Sequence, residues 1–118
     1  MNLEELLQVA EMKKNFIQTY PMIFEDSRLD FLETENKVFS VFISQLYLYP
    51  AFQLDENRNP YPVIEEILHL AHARHIPNWT IAFWFVTPCN LDSFNRCPKD
   101  IIQDSELVKR LFLEEVEG

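Results

Sequence analysis

The chain has 118 residues, the length of one domain, and its 47% apolar and 14% aromatic content suffices to offset chain entropy, which excludes a wholly disordered protein. Asp and Glu outnumber Lys and Arg by 19 to 10; the resulting charge of −9, with the basic residues scattered, opposes binding to nucleic-acid phosphates. The one glycine, Gly118, excludes Gly-rich phosphate loops, dinucleotide fingerprints and nucleophile elbows, all of which need positive φ or close backbone approach.

Asn2 and Glu5 have the spacing of a reciprocal cap, and Leu3, Leu6, Leu7, Ala10 and Ile17 recur at helical spacing behind them. A first helix is therefore expected to about Tyr20, stopping before Pro21, with an apolar face that needs a partner. This amphipathic, acid-bearing start has no apolar signal core, and the longest apolar run is far short of a membrane span. The expected compartment is the cytoplasm, without a membrane partner. Cys89 and Cys97 then read as ordinary thiols in a reducing compartment.

Ser27 can cap a short helix carrying Leu29 and Leu32, but Glu25, Asp26, Asp30, Glu33 and Glu35 give it an acidic surface, and no helix-turn-helix pattern is legible. Residues 37–49 are rich in β-branched and aromatic residues. A small β-hairpin with Ser44-Gln45 at the turn is preferred there over a helix.

Pro60-Tyr61-Pro62 places a proline in the first turn of the most regular helix of the chain. Val63, Ile64, Ile67, Leu68 and Ala71 share its inner face, while Glu65, His69 and His72 line the other and His75 is expected to turn inward. Asn78 is the expected cap of a following helix whose residues Ile81 to Val86 are apolar on every side, so it belongs centrally, with Trp84 as a core anchor rather than a stacking platform. Pro98 begins a short turn. Asp104 caps a last helix with Leu107, Val108, Leu111 and Phe112 inside and the acidic exit Glu114-Glu115-Val116-Glu117.

Glu65, His69 and His72 lie at spacings of four and three, which suits either a metal ion or a solvated face that meets a partner; the solvated face is the preferred reading. No nucleophile is set beside a base and no oxyanion loop exists, so neither an enzyme nor a cofactor or metal site is expected. The fold class expected is mainly α: one compact multi-helix domain over 1–118, with one small hairpin near 37–49.

The stretch Tyr49-Pro50-Ala51-Phe52-Gln53-Leu54-Asp55, then Pro60 and Pro62, then Trp79-Thr80-Ile81-Ala82-Phe83-Trp84-Phe85-Val86-Thr87-Pro88 with Asn90-Leu91, and finally Pro98 with Asp100, resembles the toxin-binding domain of Xre/MbcA/ParS-type antitoxins. The resemblance spans about half the chain and divides it into residues 1–47, without a DNA-binding motif, and an antitoxin-like part over 48–118. It implies a mainly helical domain that binds and occludes a bacterial RES-like, NAD-consuming toxin, often through its C-terminal helices; a homo-oligomer stays open. Phe52, Gln53, Trp84, Thr87, Pro88, Asn90 and Pro98 match the family pattern as determinants of the fold. Partner contacts are expected from Glu114, Glu115 and Glu117, from Lys109 and Arg110, the only bases near them, and from Glu65, His69 and His72. An acidic adaptor of the same fold with another protein partner is the alternative.

Overall fold

The computed structural model describes residues 2–118. Its first helix, α1 (Leu3–Thr19), starts at Asn2, whose Oδ1 accepts the Glu5 N–H at 2.8 Å, and ends where Tyr20 turns extended before Pro21. Only its C-terminal half finds the partner its apolar face requires. Phe16 is buried against the rings of Tyr20, Phe52, Trp79 and Phe83, whereas Leu3, Leu6 and Leu7 remain 72%, 52% and 62% exposed.

Helix α2 (Ser27–Thr34) is capped one residue earlier than its sequence suggests, by Asp26, whose Oδ1 accepts the Leu29 N–H at 3.0 Å. Its buried Leu29 joins Val38 and Tyr49 in a small cluster beside the main core. The hairpin forms as expected. Strands β2 (Val41–Ile43) and β3 (Leu46–Pro50) pair antiparallel through Ser44 and Gln45, whose φ values of 51° and 65° are those of a two-residue primed turn. A third strand, β1 (Met22–Ile23), pairs with the other edge of β3 to give the order β1-β3-β2. Two residues carry no readable alternation, so the sequence does not announce β1.

Helix α3 (Pro62–Ala73) holds the centre. Val63, Ile64, Ile67, Leu68 and Ala71 are all fully buried. At roughly 1.5–3 kcal/mol per large side chain, the four larger ones contribute roughly 6–12 kcal/mol as an upper bound, comparable with the net stability of a whole domain. After α3 the chain turns at His75, which has a φ of 58° and is exposed, not directed inward.

Helix α4 (Asn78–Val86) begins after Pro77, which occupies the cap position expected for Asn78. The Asn78 side chain is used elsewhere: its Nδ2 donates to Ser40 O at 2.8 Å and ties the helix to the chain entering β2. Ile81, Ala82 and Phe85 are buried, while Trp79, Phe83, Trp84 and Val86 pack half-covered around them. Helix α5 (Ser105–Glu117) is capped by Asp104, whose Oδ1 accepts the Leu107 N–H at 3.2 Å. It lies along α3 through the buried Val108, Leu111 and Phe112, with Leu107 half-buried. Among the described residues no helix is long and apolar enough to cross a membrane.

Candidate protein-interaction surface

Of the residues singled out in the sequence, Phe52, Gln53 and Trp84 make contacts that hold elements together. Gln53, fully buried at the end of the first 3-10 turn, Ala51–Gln53, donates from Nε2 to Phe39 O at 2.8 Å and to Pro50 O at 3.0 Å. Its Oε1 accepts the Phe39 N–H at 2.9 Å. One amide thus satisfies three backbone groups and locks the chain before β2 onto the end of β3. The Phe52 ring lies 5.5 Å from Phe85, 6.3 Å from Phe39 and 6.4 Å from Phe16, so it joins α1, α4 and the segment that enters β2.

Trp84 is half-buried and meets Phe112 edge-to-face at 5.1 Å, bridging α4 to α5. Thr87 ends α4, with its hydroxyl donating to Phe83 O at 2.6 Å, and buried Pro98 opens the second 3-10 turn, Pro98–Ile101, which packs on α4. Pro88 and Asn90 are exposed in the loop between these elements. That loop is closed by Asp92, buried and bonded through both carboxylate oxygens to Arg96 at 2.9 Å; the same oxygen that meets Arg96 Nε also accepts the Arg96 backbone N–H. These hydrogen bonds from Arg96 hold the Asp92 carboxyl below the usual carboxylate range.

The partner-contact residues expected from α3 and α5 lie on adjoining helices. Glu65 and His69 line a shallow groove of about 380 Å³ with Lys109 of α5, and Asn36, Glu66 and Leu70 complete it. His72 is not part of that groove, since its Nε2 lies 3.3 Å from Asn78 Oδ1. Among the described residues no group of three His, Cys, Asp or Glu side chains is placed to hold a metal ion.

Helix α5 runs to Glu117, so its acidic exit is ordered helix. The expectation that Lys109 and Arg110 are its only nearby bases is corrected. Arg74, at the end of α3, donates to Glu117 Oε1 at 3.1 Å across 43 residues of sequence, and also holds Leu70 O at 3.0 Å. Lys109 instead reaches Glu66 at 3.4 Å, and Arg110 lies 3.9 Å from Glu114. Each pair is solvent-accessible and worth at most about 1 kcal/mol; the Arg74–Glu117 and Lys109–Glu66 pairs orient α5 on α3 rather than hold the fold, and Arg110–Glu114 lies within α5. Glu115 is exposed and, among the described residues, makes no ion pair within 4.0 Å.

Sequence reasoning found Gln53 and Trp84 but missed Arg74, Asp92 and Arg96. The Asp92–Arg96 pair has helical spacing inside a loop, and the Arg74–Glu117 pair joins segments far apart in sequence; neither leaves a local signal. No family model, no curated protein and no solved structure matches this chain.

Proposed function

We propose that this protein is an antitoxin-like module that binds and occludes a RES-like, NAD-consuming toxin, presenting the α3/α5 surface to it. The observation that carries this reading is the ordered acidic end of α5: it stays helical to Glu117 and is tied back to α3 by Arg74, leaving Glu114 and Glu115 solvent-facing. A toxin that binds a negatively charged dinucleotide needs a basic cleft, and carboxylates held in place beforehand enter such a cleft at a smaller ordering cost than a frayed tail would. Support also comes from the resemblance itself, because its matched residues Phe52, Gln53 and Trp84 make contacts that join α1, the sheet, α4 and α5.

The test is co-purification of the tagged chain from its native host, followed by measurement of NAD in cells expressing the captured partner with and without it. The expected result is a RES-like partner whose NAD depletion the chain suppresses. A triple Glu114→Gln, Glu115→Gln, Glu117→Gln variant should fold normally and lose at least about tenfold in affinity, the equivalent of one charge-assisted hydrogen bond. A folded triple variant that neutralises its partner with unchanged affinity overturns the acidic-end mechanism. Capture of a partner with no NAD-consuming activity overturns the antitoxin reading.

A further inference from the structure

The first half of α1 is the least explained part of the fold. Leu3, Leu6 and Leu7 stand in solvent on a helix whose only described anchor at that end is the Asn2 cap. Beside it the hairpin runs to the margin of the core: Val41 and Leu48 are buried on its inner face, while in the next pair on that face Ile43 is half-buried against the core and Leu46 is 49% exposed. Between the two lies a groove of about 620 Å³ lined by Leu6, Val9, Ala10, Ile17 and Ile43, with Lys13 and Lys14 among its walls. An apolar groove with a basic wall, on a chain of charge −9, is suited to an apolar helix that carries acidic residues beside its leucines. The chain contains that helix, and it is α1.

We infer that two copies of this chain associate through α1, each laying its first turns antiparallel into the α1–hairpin groove of the other. Leu3, Leu6, Leu7, Ala10, Lys14 and Ile17 form one stripe at helical spacing, with the small side chain of Ala10 near its middle, where two helices crossing on a twofold axis need close approach. An antiparallel pair centred there sets Leu3 opposite the partner's Ile17, and sets Leu6 and Leu7 opposite the aliphatic stems of the partner's Lys14 and Lys13. From Leu3 to Ile17 the contact runs about 21 Å at 1.5 Å per residue. The charges agree with this orientation and not with the parallel one. Glu4 borders the stripe on the same edge as Lys14, so antiparallel packing brings each Lys14 to the partner's Glu4, while parallel packing sets like charges at the same level. Lys13 already lies over the Trp79 ring at 5.4 Å, which leaves Lys14, exposed and without an ion pair among the described residues, to meet that carboxylate. The contact is isologous, so it closes at two copies.

Sedimentation equilibrium of the 118-residue chain alone, without any toxin, tests this independently of the function proposed above. The expected state is a dimer. Leu6→Glu with Leu7→Glu should weaken it about a hundredfold or more while leaving near-ultraviolet circular dichroism unchanged, because both side chains are already solvent-exposed in one copy, and should lower Tm only by the concentration-dependent part that association contributes. Lys14→Glu alone should weaken the dimer, and Lys14→Glu combined with Glu4→Lys should restore it, a recovery that a merely misfolded variant would not show. A monomeric wild-type chain, a dimer that survives the leucine substitutions, or a charge swap without rescue overturns the inference.

Discussion

Replacing Gln53 by Leu removes one side chain's amide and leaves three buried backbone groups without a partner: Phe39 N–H, Phe39 O and Pro50 O. Gln53 is 0% exposed, so water does not take over these bonds without the site opening. Each of the three orphaned buried groups costs about 1–3 kcal/mol, and the apolar replacement regains about 1–2 kcal/mol of burial, for a net loss of about 1–8 kcal/mol with its middle at about 4–5 kcal/mol. For 118 residues an unfolding entropy of about 2.1 cal/mol/K per residue makes that middle value a fall in Tm of about 16–20 °C. Urea unfolding followed by circular dichroism reads the first number and a thermal scan the second. Gln53→Glu sharpens the test, because it keeps an acceptor for Phe39 N–H but sets a carboxylate against two carbonyl oxygens. Burial and those carbonyls raise its folded pKa, so relative to wild type its stability is best below about pH 4 and declines as pH rises towards neutrality. A loss under about 1 kcal/mol for Gln53→Leu, or no pH dependence in the Gln53→Glu difference, refutes the assignment of Gln53 as the clamp between the start of β2 and the end of β3.

Tyr49 donates to Asp30 at 2.6 Å with Glu33 3.2 Å away, and burial first, then the Asp30 hydrogen bond, raise its phenol well above the ordinary value near 10. A raised folded pKa contributes stability that is fully present below about pH 10 and is lost as pH climbs beyond it, by up to about 1.4 kcal/mol per pH unit; Tyr49→Phe should cost about 1.5–3 kcal/mol at neutral pH and flatten that alkaline decline in a pH series of urea unfolding curves. Trp84→Ala removes the ring wedged between Phe85 and Phe112 and should cost about 3 kcal/mol by the same measurement, the low end for a tryptophan because the side chain is only half-buried; an unchanged Tm would show that α4 and α5 are held together elsewhere.

The elements read most easily were those whose signal is local and repeated. Helices α3 and α5 show the 3.6-residue period over several turns, and their inner faces, Val63 to Ala71 and Val108 to Phe112, are the buried ones. The hairpin was legible because β-branched and aromatic residues flank Ser44-Gln45, even though neither turn residue is the Asn or Gly that usually accepts positive φ. Cap positions slipped by one residue where two candidates adjoin: Asp26 supplanted Ser27 because its carboxylate reaches the Leu29 N–H, and Asn78 gave up its cap role to bond Ser40. What sequence could not show depends on which distant segments meet. The Gln53 clamp on Phe39 spans 14 residues and the Arg74 tie to Glu117 spans 43, and periodicity contains neither.

The same limit explains α1. Its stripe from Leu3 to Ile17 satisfies every local criterion for a helix that packs on its own domain, yet the domain covers only the half around Phe16. Periodicity records that a face is apolar and says nothing of which surface covers it. The groove beside α1 and the groove between α3 and α5 share no lining residue, and substitutions in well-separated sites add independently. Glu114, Glu115 and Glu117 do not line the α1 groove, and a twofold pair that left the α5 ends open would present two of them at once to a partner that is itself oligomeric, raising avidity without any new contact. That coupling gives the two surfaces a shared consequence while keeping them separable. On the two proposals together, Leu6→Glu with Leu7→Glu is expected to lower partner binding only through lost bivalency, and the Glu114, Glu115 and Glu117 substitutions are expected to lower it in monomer and dimer alike.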